Sequence, residues 1–305
     1  MVANAFWSGK AASLNHGTYS DGHPLDEIHY LECKLILKPD RFTCVKDFHE
    51  YGNIVSQAAS ECNIGFLTKR ALQLKPRIRE VLFLDTADFR FYNNAFILRR
   101  RITYEDGFPM GDPEIVFKFR HPDLEKAAAV DVRPTIAGSY QIKFKAEVLP
   151  LRDRLGGYRL LYSHNAQFGL SQAPEGDQTS MLTVARMFPA LEALKRSYAE
   201  RVDLVNQAIV EEVLQDLGTL DFGRGMMTDC DAALWRTRGE HKSLIGEFSF
   251  QWKFKRGNEL HQKAIERCRQ FFIALQKIGP DWVSLGTTKT ATVYRLKGNP
   301  PQAHE

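Results

Sequence analysis

Several stretches of the chain alternate apolar and polar residues with period two, the pattern of an extended strand whose side chains point to opposite faces in turn. In residues 29–37, Leu31, Cys33, Leu35 and Leu37 form one row, and Tyr30, Glu32, Lys34 and Ile36 form the other. Residues 96–104 carry Arg99 and Arg101 in one row, and residues 114–120 set Ile115, Phe117 and Phe119 against Glu114, Val116, Lys118 and Arg120. Residues 140–148 oppose Ile142, Phe144, Ala146 and Val148 to Lys143, Lys145 and Glu147. Late in the chain, residues 233–239 offer Arg236 and Arg238, while residues 244–255 set Phe248, Phe250, Trp252 and Phe254 against Glu247, Ser249, Gln251, Lys253 and Lys255.

Helical spacing marks other segments. Phe48, Tyr51, Ile54, Val55 and Ala58 predict a helix over 45–62 with Asp47 near its cap. Residues 181–217 read as a long helical segment broken at Pro189 and ended by Gly218, and a further helix is expected from about Glu259 to Ile278, stopped by Gly279 and Pro280. Residues 1–27 read as an irregular lead-in and 298–305 as a loose tail. The span between them, 28–297, is expected to be a single domain.

Composition narrows the classes. At 305 residues, 44% apolar and 26% charged, the chain is an ordinary globular sequence, and its formal charge of +4 is too small to imply nucleic-acid binding by itself. Five cysteines without a C-x-x-C pair indicate neither a disulfide framework nor a zinc site. No apolar stretch approaches the roughly 18 residues of a membrane span, so a cytoplasmic protein is expected. Residues 221–223, DFG, lack every companion motif of a kinase and read as a turn.

Basic residues far outnumber glutamates in the polar rows, although the whole chain is near neutral. A sheet with one face in water also alternates cleanly, but such a face normally mixes signs, because like charges on neighbouring strands repel. Curling the sheet would instead gather the cations into one cavity, where a lower dielectric raises both their mutual repulsion and their attraction for a polyphosphate. A glutamate such as Glu32 beside Lys34 then suits a divalent cation held between carboxylate and phosphate.

The order of E-x-K at 32–34, FLDTADFRFY at 83–92, LRRR at 98–101, FKFR at 117–120, GEFSF at 246–250 and TTKT at 287–290 resembles the CYTH, or triphosphate tunnel metalloenzyme, superfamily. The resemblance implies an α+β protein built on an antiparallel eight-stranded β-barrel, open at both ends, with flanking and inserted helices. It also implies a metal-dependent phosphohydrolase cleaving a phosphoanhydride of an inorganic or organic triphosphate. On this mapping Glu32, Lys34 and Glu247 are catalytic, Glu32 and Glu247 hold Mg²⁺ or Mn²⁺, and Lys34, Arg99, Arg101, Lys118 and Lys289 contact phosphate. The alternation itself adds Arg120, Lys143, Lys145, Arg236 and Arg238 as phosphate contacts.

The first strand departs from the family's E-x-E-x-K by carrying Tyr30, and the late E-x-E is Glu247 followed by Ser249. Glu147, Asp229 or Asp231 stand as possible replacements for the missing acids. Two alternatives stay open: a non-catalytic binder of polyphosphate or nucleotide, and a nucleotidyl cyclase or polyphosphate polymerase using the same tunnel. The expected partner is a triphosphate-containing small molecule or polyphosphate, with nucleic acid entering only as a 5′-triphosphate end.

Overall fold

The computed structural model describes residues 17–18, 22, 24–68, 75–197, 199–254 and 261–298. The strands are β1 (Tyr30–Leu37), β2 (Gly65–Leu67), β3 (Arg77–Asp85), β4 (Phe96–Glu105), β5 (Phe108–His121), β6 (Gln141–Pro150), β7 (Tyr158–Gly169), β8 (Asp203–Leu204), β9 (Val210–Asp221), β10 (Met227–Thr237) and β11 (Ser243–Lys253). The helices are α1 (Val45–Glu61), α2 (Arg90–Asn93), α3 (Leu124–Ala129), α4 (Met181–Met187), α5 (Gln262–Ile278) and α6 (Lys289–Tyr294).

Strand pairing runs β9-β10-β11-β1-β6-β7-β5-β4-β3, and β3 pairs back with β9, closing a barrel. Strands β2 and β8 attach beside it on β9 and β3. The ring has nine strands where eight were expected. An odd ring cannot alternate direction all the way round, so one pair must run parallel, and that pair is β1 with β6.

Outward rows pack under helices. In α1, Phe48, Tyr51, Val55 and Ala58 are buried at helical spacing, and Asp47 reaches back to accept from the Cys44 amide at 2.8 Å, capping the first turn. Helix α5 buries Ala264, Cys268, Phe271, Phe272 and Leu275 on one face and stops at Gly279, before Pro280. The expected start near Glu259 lies outside the described residues, as does Lys255. The two helices cover the outer row of β1 and β11, with Tyr51 5.5 Å and Phe271 6.5 Å from Phe248 between ring centroids. Helix α4 and the turn after it seat Phe188 on Phe117 of β5, centroids 4.3 Å apart.

The long helical reading of 181–217 is wrong in its second half. Only Met181–Met187 is α-helical, Pro189–Leu194 is a 3-10 segment, and β9 begins at Val210. Val210, Val213, Leu214 and Leu217 satisfy helical spacing, but Val210, Glu212 and Leu214 also share one face of a strand; pairing with β10 on one side and β3 on the other decides between the two. Gly218 is no helix stop. It sits at a bulge with φ of +138°, and a Cβ there would lie 2.3 Å from the Leu67 carbonyl oxygen, so only glycine lets β2 approach.

The bore is also not open at both ends as expected. At one end the inward rows turn apolar, and Ile36, Val81, Phe83, Ile97, Val210 and Ile245 form a second core with Trp235, Val293 and Tyr294. Helix α6 therefore floors the barrel. No helix among the described residues is long and apolar enough to cross a membrane.

Candidate functional site

Above that floor lies a cavity of about 750 Å³ lined by inward side chains of all nine ring strands and the start of α6. Of the residues singled out in the sequence, Glu32, Lys34, Arg99, Arg101, Lys118 and Arg120 line it. So do Lys143, Lys145, Glu247 and Lys289. Glu147 lies fully buried in the wall behind them.

Arg236 and Arg238 do not join them. On β10 the inward row is Asp229, Asp231, Ala233 and Trp235, so the two arginines have the opposite parity, and a bulge between Trp235 and Arg236 disturbs the register further. Outside the bore, Arg236 bonds Glu211, and Arg238 bonds Glu80 and lies 5.1 Å over the Tyr104 ring. Asp229 and Asp231, considered as replacements for the missing acids, lie on β10 and line the cavity.

Arg79, Glu212 and Trp235 are among the lining residues that escaped the sequence reading. Arg79 of β3 bonds Glu212 of β9 at 2.6 Å, and the helical reading of 181–217 hid Glu212. Trp235 then donates its Nε1 proton to Glu212 at 2.8 Å and places its ring 4.8 Å beneath the Lys289 ammonium. Alternation in residues 77–85, Arg79 with Val81 and Phe83, was the signal available for Arg79.

The charges fall into connected groups. Lys34 Nζ lies 3.0 Å from Glu32 and 3.2 Å from Glu147, while Glu147 also meets Lys118 at 3.1 Å and Arg120 at 3.6 Å and accepts from Ser163 at 2.6 Å. Burial alone would raise the Glu147 carboxyl, but Lys118 and Lys34 outweigh it and hold it well below the usual range. Burial likewise opposes ionised Glu32, yet Lys145 and Lys34 bring it down to about 2. Lys118 moves the other way: burial lowers it to about 7 despite Glu147, with Lys34 and Arg120 adding repulsion.

Toward the mouth, counter-charges run short. Lys143, Lys145 and Lys253 surround the Tyr30 ring at 6.0, 5.6 and 5.8 Å. Burial and neighbouring Lys145 lower Lys143 to about 8. Arg99 has no ion-pair or hydrogen-bond partner among the described residues; burial and Arg101 lower it to about 10.

The D-T turn at the end of β3 holds the floor in place. The buried Asp85 carboxylate accepts from the amides of Thr86, Phe91 and Tyr92 at 2.7, 2.8 and 3.0 Å and from the Tyr294 hydroxyl of α6 at 3.0 Å. Burial still pushes its pKa up to about 6. Because α6 also carries Lys289, this turn positions a lining cation. Asp85→Ala leaves those donors unpaired and is expected to cost about 3 kcal/mol in urea unfolding.

Whether the carboxylates suit Mg²⁺ or Mn²⁺ is decided by their neighbours. Hard cations want several convergent oxygen ligands, and affinity follows the number of charged ones. Among the described residues no group of three or more His, Cys, Asp or Glu side chains converges. Glu32 and Glu147 are bridged by Lys34, Glu212 and Glu247 by Lys289, and Tyr30 and Ser249 stand where further acids were wanted. Neither glutamate pair is open to a divalent metal unless its lysine is displaced.

Fold and site together define a closed β-barrel with a cationic, blind-ended bore. No family model matches the chain, and no curated protein matches it. Among solved structures it is similar to a candidate adenylyl cyclase from Hippeastrum described as having a dominant triphosphatase activity, at 14% identity over 91% of this chain and 100% of that one, TM-score 0.43. It is also similar to a candidate adenylate cyclase from Bacillus halodurans, at 12% identity over 88% and 98% of the two chains, TM-score 0.40.

Proposed function

We propose that the barrel captures the terminal triphosphate of a linear polyphosphate or of a triphosphate-bearing small molecule. The observation that carries this reading is that Arg99, Lys143 and Lys253 line one bore without a carboxylate partner among the described residues. Cations crowded at reduced dielectric repel one another, and a multivalent anion relieves that repulsion at several points together. Their spread over β4, β6 and β11 suits an extended chain of phosphates, each taking its own donors, better than one compact ion.

The blind end matters to the alternatives. A growing polymer needs a path out, and the floor of Phe83, Trp235 and Tyr294 removes one exit. Metal-dependent hydrolysis needs carboxylates free to hold the ion, and Glu32, Glu147, Glu212 and Glu247 are each paired with a lysine. Capture is therefore the reading, and release of phosphate from tripolyphosphate with Mg²⁺ or Mn²⁺ would replace it.

Thermal unfolding with phosphate, pyrophosphate and tripolyphosphate tests it. At a concentration a hundredfold above its Kd, tripolyphosphate should raise the midpoint by about 4 °C, with smaller shifts for the shorter anions at that same concentration. Equal shifts for all three would mean screening rather than capture.

A further inference from the structure

Two lysines occupy the places between carboxylates that a bridging cation takes. Lys34 joins Glu32 and Glu147, and Lys289 joins Glu247 at 2.7 Å and Glu212 at 3.1 Å. Each pair of acids comes from two different strands, so the ammonium ties the barrel wall together where a divalent ion otherwise would. Lys289 is further fixed by the Trp235 ring beneath it, whose face attracts the cation. Lys34 belongs to the wall and Lys289 to the floor helix α6.

Toward phosphate an ammonium and a hard cation differ. Ammonium brings one charge and three N–H donors, whereas Mg²⁺ brings two charges and demands near-octahedral oxygen ligands. A phosphate chain entering with Mg²⁺ would bring that dication among the ammoniums of Lys34, Lys118 and Lys289, whose glutamate neighbours Glu32, Glu147, Glu212 and Glu247 are already paired with lysines, while the other lining acids, Asp229 and Asp231, bond Thr219 and Arg77. A chain entering bare brings no second cation and meets the N–H donors of Lys34, Lys118 and Lys289 directly.

We infer that the barrel takes its polyphosphate in the metal-free form, with Lys34 and Lys289 as built-in counter-ions, so that Mg²⁺ competes with the protein for the ligand. The inference rests on the polyanion reading above and adds the ionic form that is recognised. It makes free Mg²⁺ a regulator of occupancy: the site fills when polyphosphate exceeds the metal that would chelate it.

The test is a calorimetric titration of the full chain with sodium tripolyphosphate in metal-depleted buffer, repeated with millimolar Mg²⁺ at matched ionic strength to hold screening constant. Binding should be about tenfold or more tighter without Mg²⁺, which corresponds to about 1.4 kcal/mol. Equal or tighter binding with Mg²⁺ overturns the inference and leaves the polyanion reading standing. Binding in neither buffer removes that reading and the inference with it. Lys289→Met in the same titration exposes Glu212 and Glu247 to the anion: it should bind more weakly in metal-depleted buffer and lose most of the Mg²⁺ penalty. A variant with the wild-type Mg²⁺ response contradicts the role given to Lys289.

Discussion

Replacing Glu147 with glutamine is expected to destabilise the ligand-free protein by about 3–5 kcal/mol, the usual cost of removing one partner from a buried ion pair. The carboxylate is fully buried and faces Lys34, Lys118 and Arg120, so the amide leaves three cations without their shared counter-charge. Ser163 also loses an ionised acceptor. The effect should be partly reversed by tripolyphosphate, which supplies anionic oxygens from the bore side. Urea unfolding of wild type and Glu147→Gln, each with and without the ligand, measures this directly. A variant as stable as wild type, or one that tripolyphosphate helps no more than wild type, contradicts the role assigned to the cluster.

The second large effect is on pH. Lys118 has a folded pKa of about 7, and Lys143 of about 8, both below the 10.5 of an unperturbed lysine. Between those values the unfolded chain binds more protons than the folded one, so each group makes the free protein more stable as pH rises from about 7 toward 10. Lys34 acts oppositely, since Glu147 and Glu32 raise it above 10.5, and its contribution is lost only at still higher pH. A bound polyanion favours the charged ammoniums, so affinity for tripolyphosphate should fall between pH 6.5 and 9 even though the ligand itself gains charge. Unfolding curves at both pH values should therefore converge with ligand and diverge without it. Parallel pH trends in the two series would mean that Lys118 and Lys143 do not meet the anion.

How much of this was legible depended on strand parity. In β1, β5, β6 and β11 the alternation is clear along much of each strand, and the polar rows containing Glu32, Lys118, Lys145 and Glu247 are the rows that face the cavity. In β10 the two arginines drew attention to the wrong face, because the inward row there is acidic, small and aromatic and carries no basic residue. Glu212 was hidden by a sequence that fits helix and strand equally well, and only pairing with the next strand, β10, and with β3, far away along the chain, selects the strand. The expected barrel is present, but the floor was not visible: Phe83, Trp235 and Tyr294 are distant in sequence and meet only when the ring closes. The D-T turn was noticed as a motif, while its work of tying α6 to β3 is visible only in the bonds of Asp85.

The most direct measurement is a crystal structure of the protein with tripolyphosphate bound. The account predicts one phosphate chain along the bore, contacting Arg99, Lys118 and Lys143, with its end toward Lys289. A ligand seated outside the barrel, against Arg236 and Arg238, would contradict it.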